Sequence, residues 1–172
     1  KIYCIPGNAG TKDFAKNLDI KIDDFKGIYD AAKKYKVDMI VVGPEGPLCD
    51  GIVDFFSNKK IKIFGPTKFA SKLESSKLFA RNFMKNNQIP QPKFYESDSY
   101  EKSVNIRRKI GLPLVLKADG LAAGKGVIMC YNESEFKDGL KILFEDKKYG
   151  SASNKISIEE CLVGEELSIF TV

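Results

Sequence analysis

The chain has 172 residues, 43% of them hydrophobic and 30% charged, the balance of a globular protein and not of a disordered or fibrous one. It contains no histidine, which excludes Ser-His-Asp triads, Cys-His dyads and His-ligated zinc. The net charge is +5, yet Arg81, Arg107 and Arg108 are the only arginines and the lysines are mixed with acids. That pattern fits a solvated surface with attraction for phosphorylated small molecules, and no nucleic-acid partner.

No apolar run approaches the roughly 20 residues of a membrane-spanning helix, so no membrane role is expected. Cys4, Cys49, Cys130 and Cys161 lie far apart in or beside apolar stretches. They read as reduced, mostly buried thiols of a cytoplasmic protein.

Ile2 to Ile5 reads as a strand ending in the loop Pro6 to Thr11. Asp23 or Asp24 can cap a helix running to about Lys36, with Phe25, Ile28, Tyr29 and Ala32 on one face. Met39 to Val42 is a continuous apolar run suited to a buried parallel strand. It ends at the loop from Gly43 to Pro47. A helix over Ile52 to Phe56 and a strand over Ile61 to Phe64 follow, then Gly65-Pro66-Thr67. Strand, glycine loop and helix in repetition predict a doubly wound α/β sheet, with ligands at the carboxyl ends of its strands.

A helical stretch is expected from about Lys68 to Asn87, ended by Pro90 and Pro92. Ser99 can cap a helix closing near Ile110, with Gly111 and Pro113 beyond it. Leu114 to Ala118 and Val127 to Tyr131 read as strands. Asn132 and Glu135 have capping-box spacing before a helix carrying Phe136, Leu140 and Leu143 on one face. Ile156 to Glu160 and Leu167 to Val172 read as further strands.

The connection from Gly120 to Gly126 carries the strongest chemical signal. Gly120, Gly124 and Gly126 with Ala122 and Ala123 allow a close backbone approach to a ligand, and successive free amides suit phosphate oxygens. It is not a P-loop, because the spacing is wrong and strands flank it on both sides. A glycine-rich flap over phosphates fits better than an ordinary wide hairpin loop, since Lys117 and Lys125 accompany it. Alternation places Lys117 on the face of Val115, opposite Leu114 and Leu116. From Ile158 to Glu166, four carboxylates surround a turn. That pattern alone suits an exposed acidic turn, a metal site, or an adenine-reading hinge at Glu160 and Leu162 with Glu166 on the ribose.

Taken together, these motifs resemble those of the glycinamide ribonucleotide synthetase (phosphoribosylamine–glycine ligase) family, of the ATP-grasp superfamily. The run Lys117-Ala-Asp-Gly-Leu-Ala-Ala-Gly-Lys-Gly-Val127 is similar to its flap. Pro6 to Thr11, Val42 to Glu45 with Pro47-Leu48, Ile63 to Thr67, Leu73 to Lys77, and Ile158 to Glu160 with Gly164 to Glu166 match further landmarks in order. The resemblance implies an N-terminal Rossmann-like, pre-ATP-grasp domain over residues 1–94, an α+β ATP-grasp flap subdomain over 95–165, and the start of a main ATP-grasp subdomain over 166–172.

It also implies roles. Lys77 and Lys117 match the phosphate lysines, and Gly120, Gly124, Lys125 and Gly126 the flap. Glu159, Glu160 and Leu162 match the adenine hinge, Leu162 through its backbone amide, and Glu166 the ribose glutamate. Gly7, Asn8, Gly10, Thr11, Gly43, Pro44 and Glu45 match a phosphoribosylamine pocket. ATP with magnesium or manganese is the implied cofactor set, glycine and 5-phosphoribosylamine the substrates, and a monomer or weak dimer the assembly. The family begins before the residue matching Lys1 and continues past Val172, where its metal ligands lie. The fragment itself is therefore expected to lack catalytic and metal residues and ligase activity. The alternatives are another ATP-grasp carboxylate–amine ligase or a nucleotide-binding module without catalysis.

Overall fold

The computed structural model describes residues 1–121 and 125–169. Ala122, Ala123 and Gly124 of the expected flap, and Phe170 to Val172, lie outside the described residues. The chain forms two compact units, Lys1–Lys72 and Leu73–Val172.

In the first unit, β1 (Tyr3–Cys4) is followed by a 3-10 turn over Gly10–Asp13 and by β2 (Lys16–Asn17), which runs parallel to β1. Helix α1 (Phe25–Lys34) starts where the Asp24 carboxylate accepts the Gly27 amide at 2.9 Å, an N-cap of the expected kind. It buries Ile28, Ala31 and Ala32. Strand β3 (Met39–Val41), helices α2 (Glu45–Asp50) and α3 (Ile52–Phe56), and β4 (Lys62–Phe64) follow. β3 and β4 pair in parallel, Ile40 opposite Ile63. Ile28, Leu48, Ile52 and Phe56 form the core. The strands expected at residues 2–5, 39–42 and 61–64 are present but shorter, and lie in two separate two-stranded sheets. β2 carried no apolar run and was invisible to patterning.

The helix expected from Lys68 to Asn87 is interrupted. Helix α4 (Lys72–Ser75) ends before Ser76, which is extended, and α5 (Lys77–Asn86) starts after it. The Ser76 hydroxyl accepts the Phe79 amide at 3.1 Å. A serine that caps a helix end cannot also continue the helix before it.

The second unit is built on an antiparallel sheet of β5 (Phe94–Ser97), β6 (Leu114–Ala118), β7 (Val127–Cys130) and β8 (Ile156–Glu160), in the order β5-β8-β6-β7. Helices α6 (Tyr100–Ile110) and α7 (Glu133–Leu140) connect its strands. Both caps were legible: the Ser99 hydroxyl accepts the Lys102 amide, and the Asn132 side chain accepts the Glu135 amide at 3.0 Å. The Glu135 carboxylate reaches one residue further back than in a standard capping box, to the Tyr131 amide at 2.7 Å.

Ile106, Leu114, Leu116, Cys130, Phe136, Leu140, Leu143, Ile156 and Ile158 form the second core. Leu114, Leu116 and Ala118 pair with Glu160, Ile158 and Ile156, and alternation turns their side chains toward α6 and α7. Because α5 bonds to Asp119 just past β6 and to Glu159 of β8, the second unit begins well before the prolines and Phe94. Leu167 to Ile169, expected in a strand, are irregular and exposed, with no neighbouring strand among the described residues to complete a ladder.

Candidate functional site

The site grows from the face of the sheet opposite the second core. Val115 pairs with Glu159 and Lys117 with Ser157, so Lys117, Ser157 and Glu159 share that face. Glu159 is only 1% exposed. Burying a lone carboxylate would be costly, but this one has four donors. The Arg81 guanidinium spans it, Nε to Oε1 at 2.9 Å and Nη2 to Oε2 at 2.5 Å. The Lys117 ammonium reaches Oε2 at 2.9 Å, and the Ser157 hydroxyl donates to Oε1 at 2.9 Å. Burial by itself would raise the carboxyl pKa, yet the hydrogen bonds and charges of Arg81 and Lys117 hold it below the ordinary value.

Beyond Lys117, β6 ends at Ala118, and Asp119 follows it. Its carboxylate accepts the Ser76 hydroxyl at 2.9 Å and the Leu78 amide at 3.1 Å. The strand end is thereby tied to the N-terminus of α5, where backbone amides lack intrahelical partners. Lys77, the first residue of α5, donates from its ammonium to the Gly120 carbonyl at 3.1 Å. Gly120 has φ +139, and a Cβ there would stand 3.0 Å from the Ala152 Cβ, so the position requires glycine. Across the connection, the Ala118 amide donates to the Gly126 carbonyl at 2.8 Å. Lys125 is exposed.

These bonds bring Lys77, Lys117, Gly120 and Glu159 into one linked cluster. Glu160 adjoins it on β8, pairing with Lys93: its amide donates to the Lys93 carbonyl, and its carboxylate accepts the Lys93 amide. Leu162 and Glu166 are exposed in irregular chain beyond β8. Gly124 lies outside the described residues.

The first-unit residues are arranged separately. Asn8 and Thr11 bond to each other twice through backbone amides and side chains, and the Thr11 hydroxyl donates to the Asn17 amide oxygen at 2.8 Å. Gly7 has φ +79, and a Cβ there would collide with the Asn17 side chain. Gly10 opens the 3-10 turn, and Glu45 opens α2. Gly43 and Pro44 line an apolar cavity with Tyr3, Ile5 and Ile40. The loop after β1 and helix α2 also face a shallower depression, at Pro6, Gly46 and Asp50.

Two participants, Arg81 and Ser157, escaped the sequence reading, and Asp119 entered it only within the run Lys117 to Val127, with no role of its own. Arg81 lies one helical turn after Lys77, and it is one of three arginines in a lysine-rich chain. Scarcity of that kind marks a position where a planar fork is needed. Among the described residues, no three His, Cys, Asp or Glu side chains cluster as metal ligands, and no helix is long and apolar enough to cross a membrane.

Residues 1–74 match the model of the phosphoribosylglycinamide synthetase N domain, and residues 75–172 that of the phosphoribosylglycinamide synthetase ATP-grasp (A) domain. A phosphoribosylamine–glycine ligase of Caldanaerobacter subterraneus is 39% identical over 99% of this chain and 41% of its own length. A bifunctional purine biosynthetic protein of Dictyostelium discoideum is 41% identical over 98% of the chain and 21% of its own length. The chain thus spans less than half the length of these curated relatives.

Among solved structures, the phosphoribosylamine–glycine ligase of Thermotoga maritima superposes with a TM-score of 0.73 at 29% identity, over 96% of this chain and 39% of that one. An ADP complex of the N5-carboxyaminoimidazole synthetase from Staphylococcus aureus shares the fold with a TM-score of 0.69 at 18% identity, over 91% of this chain and 39% of that one. With an α/β first unit, an antiparallel sheet in the second and both domain models matched, the chain belongs to the phosphoribosylglycinamide synthetase family.

Proposed function

We propose that this chain carries the phosphate-binding part of an ATP-dependent ligase that joins glycine to 5-phosphoribosylamine. The observation behind this reading is the cluster at the end of β6: Lys117 ion-paired to Glu159, and Lys77 bonded to the Gly120 carbonyl at the root of the glycine-rich connection. Two ammonium groups at the root of a glycine-rich connection suit a nucleotide polyphosphate.

Glycine's carboxylate is a poor electrophile. Transfer of the ATP γ-phosphoryl group to it gives glycyl phosphate and ADP. The amine of phosphoribosylamine then attacks the acyl carbon, and phosphate leaves with the C–O bond electrons. Lys77 and Lys117 would neutralise the phosphates, and the Gly120–Gly126 connection would keep water from the labile acyl phosphate. Glu160, Leu162 and Glu166 would hold the nucleoside, while Glu159, whose carboxylate is taken up by Arg81, Lys117 and Ser157, would support the site through Lys117; the loops at Gly7–Thr11 and Gly43–Glu45 would hold the phosphoribosyl group. Magnesium, or manganese in its place, would supply charge neutralisation between phosphate oxygens. The described residues offer no acidic cluster to hold it.

The test is ADP release by the full-length protein with glycine and phosphoribosylamine supplied together and singly. Release that depends on both supports the reading. Release with a different carboxylate and amine would favour another ATP-grasp ligase, and nucleotide binding without release would favour a binding module.

A further inference from the structure

The ion cluster on the sheet face contains more positive charge than its carboxylate can answer. Glu159 brings one negative charge, while Arg81 and Lys117 each bring a positive one. Arg81 alone occupies both oxygens of Glu159 in fork geometry. The Lys117 ammonium shares Oε2, and its side chain is more exposed than either partner, 24% against 16% for Arg81 and 2% for Glu159. Asp119, just past the end of β6, is committed to the Ser76 hydroxyl and the Leu78 amide. Its charge is met by the amino end of α5 and not by Lys117.

We infer that Arg81 is a positioning residue that sets the charge of the phosphate site: by taking Glu159 bidentately, it leaves the three-residue cluster with one net positive charge, presented to an anionic ligand by Lys117, its most exposed member. Without Arg81, Lys117 and Glu159 would form a neutral pair, and an entering polyphosphate would have to compete with Glu159 for the ammonium. Arg81 itself is half-buried and is anchored at both ends. Its carbonyl accepts the Gln91 side-chain amide at 3.0 Å, and its guanidinium holds Glu159. It acts through Lys117 and does not need to touch the ligand. The ligand class is a nucleoside di- or triphosphate, so the inference rests on the nucleotide reading above.

The experiment compares binding of ADP and of adenosine to the full-length protein by calorimetry, with thermal unfolding recorded for each variant. If wild-type protein binds neither, the nucleotide reading itself fails. Given wild-type binding, Arg81→Met is expected to lose about tenfold or more in ADP affinity, the scale of one charge-assisted contact, with adenosine affinity changed less than about twofold.

Arg81→Lys, which keeps the charge, is expected to retain most of the ADP preference over adenosine. The decisive variant is the double substitution Arg81→Met with Glu159→Gln. It removes one charge of each sign, restores the surplus on Lys117, and is expected to recover ADP affinity toward wild type. A purely structural Arg81 would lower stability and affect both ligands alike. An unchanged ratio of ADP to adenosine affinity in Arg81→Met would overturn the inference, as would a double variant no better than the single one.

Discussion

The Asp119 carboxylate, at the end of β6, caps α5 by accepting the amide of Leu78 at 3.1 Å. A helix start is normally closed by a residue just before it. Here Ser76 closes one amide and a side chain from a strand closes another. Asp119→Ala should therefore destabilise the second unit by about 1–2 kcal/mol, the range of a lost N-cap. Asp119→Asn, which keeps an acceptor oxygen, should cost less. Urea unfolding followed by far-ultraviolet circular dichroism measures both. Equal losses would mean that the charge, and not the hydrogen bond, carries the effect.

Glu159 should make stability fall in acid. Its folded pKa lies below the ordinary glutamate value because Arg81 and Lys117 favour the ionised form. Its contribution is fully present above the unfolded pKa of about 4.3 and is lost as pH falls through the lower folded value. Glu159→Gln should flatten this acid limb. The check is the urea midpoint of wild-type and variant protein from pH 6 to pH 3. A wild-type midpoint that falls no more steeply than the variant's would contradict the assignment.

Cys130 should resist alkylation. It is fully buried, and burial first, then the nearby Glu135 charge, pushes its thiol pKa up to about 11. Cys4, Cys49 and Cys161 are partly exposed. Iodoacetamide at pH 8 followed by peptide mass spectrometry should label those three well before Cys130. Early labelling of Cys130 would show that the strand end opens readily.

Gly7→Ala should destabilise the first unit by about 2 kcal/mol or more. The left-handed backbone alone costs 1–2 kcal/mol with a side chain, and the new Cβ would meet Asn17. Thermal unfolding would register the loss. An unaffected melting temperature would mean that the Asn8–Thr11–Asn17 network can shift without cost.

In the full-length protein, Lys117→Ala should weaken ADP binding more than Lys125→Ala. Lys117 is half-buried and fixed by Glu159, so its charge is pre-positioned, whereas Lys125 is exposed. One charge-assisted contact is worth about 1.5–3 kcal/mol. Equal losses in titrations of the two variants would count against the role of Lys117.

Features set by local chemistry were legible in the sequence. Asp24, Ser99 and Asn132 each announce a helix through a short side chain that satisfies a nearby amide. Phe136, Leu140 and Leu143 mark a buried face by spacing alone. The alternation that separates Lys117 from Leu114 and Leu116 is equally local. What escaped depends on distant partners. Nothing near Arg81 signals that it meets Glu159, 78 positions later. Asp119 caps a helix 41 positions before it. The strand β5, with Tyr95 and Glu96 on a half-exposed edge, has too little apolar patterning to announce itself, and β2 has none. Of the proposed site, the glycine connection and its lysines were visible, while the groups that orient those lysines were not.

The position of β8 has a consequence for how the molecule is made. Among the described residues it is the last strand of the second unit in sequence, yet it lies between β5 and β6. During synthesis the earlier strands and α5 leave the ribosome while the slot between them is still vacant. Arg81 and Lys117 then have no carboxylate to hold, and two strand edges stand open to unwanted pairing. Insertion of Ile156 to Glu160 closes both edges and delivers Glu159 in the same movement. A nascent chain cut short of Ile156 would therefore lack the sheet's middle and the anchor of its cationic cluster together, making assembly of the cluster a direct report on closure of this sheet.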